Sequence, residues 1–222
     1  MMIAALILPF ALLQAADPSA AEGASRFNQC VALIETHPDQ AYEEGMAWAA
    51  ETHSLSGYRC AAMALVTQHR YDEAARRFQS LATALSPDLA ALRVELLSQA
   101  GNTWLLDRNA TSARSAFSLA IATLHGDRAQ TPDLLIDRSR AYALEGDFRH
   151  AEEDLSQSLD IRPNDALALR LRAAARMQQR SFDLAEADAQ AAVGLEPANV
   201  DNYLVLGNIR ESKRTGTPVQ GQ

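Results

Sequence analysis

The residues whose types could do chemistry are two acidic runs, Glu152-Glu153-Asp154 and Glu186 with Asp188, and five histidines at 37, 53, 69, 125 and 150. Paired carboxylates suit general acid–base catalysis, and histidines suit metal ligation when they recur one helical turn apart. No HExxH or comparable ligand spacing is present, and each histidine falls near an expected helix end or turn, where a solvated side chain is at home. The acids lie at helical spacing in AEEDLSQSLD and AEADAQ and read as the outer, solvated face of a helix. Neither GxGxxG, GxxxxGK[ST] nor GxSxG occurs, so the sequence encodes no phosphate cradle and no nucleophile elbow. No catalytic residue, no metal and no cofactor is therefore assigned, and a non-enzymatic role is expected.

The elements that carry these residues follow from composition. The 222 residues are 48% hydrophobic but only 6% aromatic. Alanine-rich sequence of this kind favours helices over strands, which draw on β-branched and aromatic side chains. A formal charge of −8 argues against a nucleic-acid partner, which would meet a basic face. All basic residues except Lys213 are arginines.

The start, MMIAALILPFALLQAADPSAAEG, holds an uncharged apolar run from Ile3 to Leu13. A bilayer span needs about 20 apolar residues, so this run is too short to cross. It fits the core of a secretory signal over residues 1–16, cut after Ala15 or Ala16, followed by a linker at 17–22. An exported, periplasmic protein with no stable transmembrane segment after processing is expected. The alternatives are an uncleaved run that tethers the chain to a membrane surface, or a cytoplasmic chain with an apolar N-terminus.

The body, residues 23–214, repeats itself. YALEGDFRHAEEDLSQSLDIRPND lies thirty-four residues before RMQQRSFDLAEADAQAAVGLEPAN, and superposing them aligns Phe148 with Phe182, Ala151 with Ala185 and Pro163 with Pro197. A small residue four before a larger one recurs as Ala74-x3-Phe78, Ala113-x3-Phe117 and Ala151-x3-Leu155; Ala185-x3-Ala189 keeps the spacing with alanine in the larger residue's place, and Ala41-x3-Gly45 lies earlier. Each unit has room for two helices. The small residue lets the second helix (B) approach the first (A), and Phe78, Phe117 or Leu155 fills the gap. SPD at 86–88 and TPD at 131–133 place a capping residue before a proline at a helix start, and Pro163 and Pro197 end helices. EGD at 145–147 and QQRS at 178–181 mark turns between A and B. One such pair cannot bury its own apolar face, so stacked copies must do it.

These residues resemble the tetratricopeptide repeat, W-x2-L-G-x2-Y, then A-x3-F, then P. Tyr203 with Leu206-Gly207, and Leu97 with Ala100-Gly101 and Trp104, match the first half. Leu135 and Tyr142 match it too, but Arg138-Ser139 stands where L-G belongs. The resemblance implies an all-α, right-handed solenoid of five repeats and a terminal helix, with LAALR at 89–93 lengthening one helix and an unstructured tail at 215–222. It also implies a concave groove lined by A helices that holds a partner protein or peptide.

Ligand-facing family positions, carried over from repeats starting at Leu55, Val94, Pro132 and Ala166, fall on Arg59 and Met63, then Asn102, then Ile136 and Arg140, then Arg170 and Met177. The matching positions do not reproduce the Lys/Asn clamp of the family's chaperone-tail binders. Arg140, Arg170 and Asn102 would converge on one surface suited to a carboxylate. A structural or membrane-tethered assembly role is the alternative. The two cysteines, Cys30 and Cys60, suit a disulfide in an exported chain, and the family register brings their positions on successive A helices close enough to meet. Without that bond each is a small apolar core residue.

Overall fold

The computed structural model describes residues 18–126 and 129–219, and among them every regular element is helical. The helices are α1 (Pro18–Ile34), α2 (Pro38–Thr52), α3 (Leu55–Thr67), α4 (Tyr71–Ala84), α5 (Ala90–Leu106), α6 (Ala110–Thr123), α7 (Thr131–Glu145), α8 (Phe148–Ile161), α9 (Ala166–Gln178), α10 (Phe182–Leu195) and α11 (Val200–Thr215). A 3₁₀ turn at Pro87–Leu89 leads into α5. Odd-numbered helices are A and even-numbered are B, giving five pairs and a lone last A helix. The fold class read from the repeats is therefore the observed one. LAALR does lengthen a helix, since α5 runs 17 residues against 13 in α3 and α9.

The turn from A to B is built the same way in repeats 2 to 5. Its pivot is a left-handed residue: His69 (φ 59°), Arg108 (φ 58°), Gly146 (φ 79°) and Arg180 (φ 63°). The next N–H then bonds back to a carbonyl of the A helix: Arg70 to Leu65, Asn109 to Trp104, Asp147 to Tyr142 and Ser181 to Arg176, all at 2.9 Å. This is a Schellman closure, which glycine satisfies without strain and other residues do not. Asn109 and Asp147 then cap the B helices, accepting from the Ser112 and His150 N–H groups.

Packing follows the small residues. Gly45 of α2 crosses Gly57 of α3 so closely that a Cβ on either would lie within 3 Å of backbone atoms on the facing helix. Gly101 of α5 lies under the Phe117 ring of α6, 2.5 Å from where a Cβ would stand. Phe78, Phe117 and Leu155, the expected gap fillers, are all buried.

Four expectations are corrected. The linker at 17–22 is helical from Pro18 onward, because proline is tolerated in the first helical turn and alanine propagates a helix. The tail expected to be unstructured from 215 is held as far as Val219. Thr215 closes α11, Val219 N–H bonds to Ser212 Oγ at 2.9 Å, and Gln178 Nε2 bonds to Val219 O at 3.4 Å. One capping expectation fails: Ser86 does stand at the N-cap with Pro87 first, though without a side-chain cap bond, whereas the N-cap of α7 is Gln130 rather than Thr131. Finally, the acids of α8 and α10 are not all solvated, since Asp154 and Asp188 are buried. The expected signal run lies outside the described residues. Within them, no helix is long and apolar enough to cross a membrane.

Candidate functional site

The A helices follow one another along one face of the array. They pack directly where α1 meets α3, α5 meets α7 and α9 meets α11. Between α3 and α5, and between α7 and α9, they stand further apart, and a cleft opens in each gap. The first cleft, of about 420 Å³, is lined by Met63 and Val66 of α3, Phe78 of α4, and Asn102, Thr103 and Leu106 of α5. The second, of about 260 Å³, is lined by Arg140 and Ala143 of α7, Ala151 and Leu155 of α8, and Ala174 and Gln178 of α9. Phe78 and Leu155 are equivalent B-helix residues, so the clefts occupy the same place one repeat pair apart. Between α5 and α7 that place is closed. Asn102 donates to Asp137 Oδ2 at 3.1 Å, and Arg140 donates to Asp137 Oδ1 at 3.3 Å.

This arrangement sorts the expected groove residues. Met63 and Asn102 line the first cleft, and Arg140, half exposed, rims the second. Asn102 and Arg140 are brought together, through an acid that sequence reasoning missed. Burial pushes the Asp137 carboxyl above the usual carboxylate range, against the opposing hydrogen bonds from Asn102 and Arg140. Ile136 and Met177 are corrected: they are 4% and 6% exposed and lie in apolar clusters, Ile136 with residues of α8 to α10 and Met177 with residues of α9 to α11, rather than on the open face. Arg170 does not join Arg140. It is largely covered and bonds Asp201 at 3.0 Å and Asn199 at 3.4 Å, tying α9 to the last helix. Arg59 is likewise engaged, bonding Glu95 across to α5 and lying over the Phe27 ring.

Cys30 of α1 and Cys60 of α3 are both buried, with Cα atoms 6.3 Å apart and their sulfurs joined. The histidines occupy helix ends and turns. Four of them bear on backbone geometry: His37 stands at the N-cap position of α2 without a side-chain cap bond, and His53, His69 and His125 are left-handed. His150 bonds Asp147 and stacks on Tyr142. Among the described residues, no three histidine, cysteine, aspartate or glutamate side chains are grouped to hold a metal ion.

The second group that sequence reasoning missed is an interlock in the repeats of the C-terminal half. Arg138 Nε and Nη2 each bond Asp154 at 2.7 Å, and Nη1 reaches Ser118. Thirty-four residues on, Arg172 bonds Asp188 twice at 2.8 Å and reaches Ser156, while Arg176 bonds both Asp188 and Glu152 at 2.7 Å. The Asp154 carboxylate raises the Arg138 pKa and Asp188 raises that of Arg172, so both guanidiniums stay charged. Arg138 thus stands bonded at the place where the tetratricopeptide pattern has leucine. The readable signal was an Arg and an Asp sixteen apart, recurring at the repeat period.

No protein-family model matches the chain, and no curated protein matches it. Solved structures do. MamA (residues 41 to end) from Desulfovibrio magneticus RS-1 is 15% identical with a TM-score of 0.64, covering 83% of this chain and 99% of that one. The first TPR domain of the human RPAP3 protein is 22% identical with a TM-score of 0.51, covering 59% and 96%. At these identities the likeness is one of fold. The chain has the fold of tetratricopeptide-repeat proteins, with five helix pairs and a terminal helix that line up their A helices on one face.

Proposed function

We propose that this chain is a non-catalytic interaction scaffold that captures a segment of a partner protein along the face lined by its A helices. The observation that supports this is the order of features along that face: apolar cleft, polar bridge, apolar cleft. An extended segment fits it, with two apolar side chains to fill the clefts and a carboxylate between them for Arg140. The clefts are held open by packed helix pairs, so the scaffold has little to order when the partner binds. Arg140→Ala should weaken partner capture, and Ala174→Trp, which fills the second cleft, should abolish it. Arg170→Ala should leave capture intact, because Arg170 is already bonded to α11. Affinity capture from the native host, read by mass spectrometry with these three variants beside the wild type, tests the reading. Equal capture by all four would defeat it.

The Ile3–Leu13 run and the Cys30–Cys60 pair support export to an oxidising compartment. Intact-mass measurement of the native protein should show the first 15 or 16 residues missing and no free thiol. A full-length chain with two free thiols would argue for the cytoplasm instead.

A further inference from the structure

Helix α11 carries the face of an A helix over which none of the described helices is laid. In repeat 3 that face is Val94, Leu97, Gly101 and Trp104, all buried, with the Phe117 ring seated on Gly101. The repeat register puts Val200, Tyr203, Gly207 and Arg210 in the same places on α11. Here Val200 is 68% exposed and Tyr203 49%, and neighbouring Leu204 is 60% exposed. A Cβ on Gly207 would meet no described atom within 4 Å. Glycine inside a helix costs about 1 kcal/mol relative to alanine. At Gly101 the Phe117 ring requires it, whereas at Gly207 no described group does.

We propose that a second copy of this chain covers this face, with its α11 antiparallel to the first. Charge sets the direction. The exposed strip is acidic at its start, at Glu196, and at its end carries Arg214 beside Glu211, with Arg210 paired to Glu186, so the antiparallel arrangement sets Glu196 against Arg214 where a parallel one would set like against like. The register comes from the contact seen inside repeat 3. Seating Tyr203 of each copy on Gly207 of the other repeats the aromatic-on-glycine contact twice about one two-fold axis. That register also faces Val200 with the stem of Arg210, Asn199 with Glu211, and Glu196 with Arg214. Arg214 bonds Glu211 within the single chain, but Arg214 is largely and Glu211 about half exposed, so exchanging that partner costs little. The dimer would carry two A-helix faces and hold a partner bearing two segments more tightly than either face alone.

Sedimentation equilibrium on the full chain tests this. The wild type should sediment at twice the chain mass at micromolar concentrations. Gly207→Gln occupies the seat of the second Tyr203 while favouring the helix, so it should raise the dimer Kd at least ~tenfold with unchanged circular dichroism. Glu196→Arg and Arg214→Glu should each weaken the dimer, and the double variant should restore it. A monomeric wild type, a larger assembly, or a dimer indifferent to Gly207→Gln would overturn the proposal. Failure of the double reversal to restore the dimer would overturn the antiparallel register.

Discussion

Between α5 and α6, the helix pair closes over Ala100 and Ala116, both fully buried, with Phe117 on Gly101 beside Trp104. The equivalent positions between α7 and α8 hold Arg138 and Asp154, and between α9 and α10 Arg172 and Asp188. The backbone solution is the same, and the chemistry filling it is opposite. An apolar contact gains from every methylene removed from water and is indifferent to direction. A buried ion pair must recover a large desolvation cost, and does so only when each donor finds its acceptor. Here the forked guanidinium does so twice, with Ser118 and Ser156 taking further N–H groups. The period is therefore a constraint on small residues, gap fillers and turns, and it leaves the polarity of the interlock free.

The largest effect should come from the apolar side. Phe117→Ala removes the ring from a site with no solvent access and should cost about 3–5 kcal/mol in urea unfolding. A loss near zero would show that the ring is not the closure of repeat 3. On the charged side, Asp188→Ala takes from Arg172 the carboxylate it bonds and from Arg176 one of two, leaving it Glu152, and should cost about 3 kcal/mol. Replacing Arg138 with Met and Asp154 with Leu in one chain should instead be neutral or stabilising, which would make repeat 4 resemble repeat 3. If that double variant is as damaged as Asp154→Ala alone, the ion pair contributes more than filling and the comparison fails.

The first repeat offers a third kind of closure. Reducing a Cys30–Cys60 bond, which closes a loop of 30 residues, should cost about 3–4 kcal/mol in the chain-entropy model. Hydrogen exchange should place that loss in α1 and leave α7 to α10 protected. The turns give a smaller, opposite effect. Arg180→Gly relieves a left-handed residue at the place where repeat 4 has Gly146, and should raise stability by about 1 kcal/mol in the same unfolding assay.

Acid should act unevenly as well. Hydrogen bonds from Lys213 and Arg210 hold the Glu186 carboxyl below the usual carboxylate range. A depressed folded pKa means that its stabilising contribution is present above the unfolded value, about 4.3, and is lost as pH falls through the folded one. The protection of α11 amides, taken relative to their intrinsic exchange rate at each pH, should therefore fall at acid pH, and Glu186→Gln should remove that part of the pH dependence.

Most of the fold was legible because its determinants are local or periodic. Ala151 and Ala185, Phe117 and Leu155, Pro163 and Pro197 announce the pairs, their closures and their ends. The face was legible as a set of positions but not as a set of exposures. Met177 lies at a groove position of its helix yet is covered by its neighbours, and helical spacing alone does not tell how far apart successive A helices stand. Asp137 was missed because its role depends on Asn102, thirty-five residues away. Asp154 was misread for the same reason, since an acid on helix B looks solvated until Arg138 is known to face it.

The central claim, that the A-helix face holds an extended segment with apolar anchors around a carboxylate, is tested most directly with a random twelve-residue peptide library selected on the immobilised full chain. The account predicts enrichment of peptides with two apolar residues flanking Asp or Glu, binding that Ala174→Trp abolishes, and weakened binding in Arg140→Ala at unchanged helicity. Absence of enrichment, or enriched peptides that bind Ala174→Trp as well as the wild type, would contradict it.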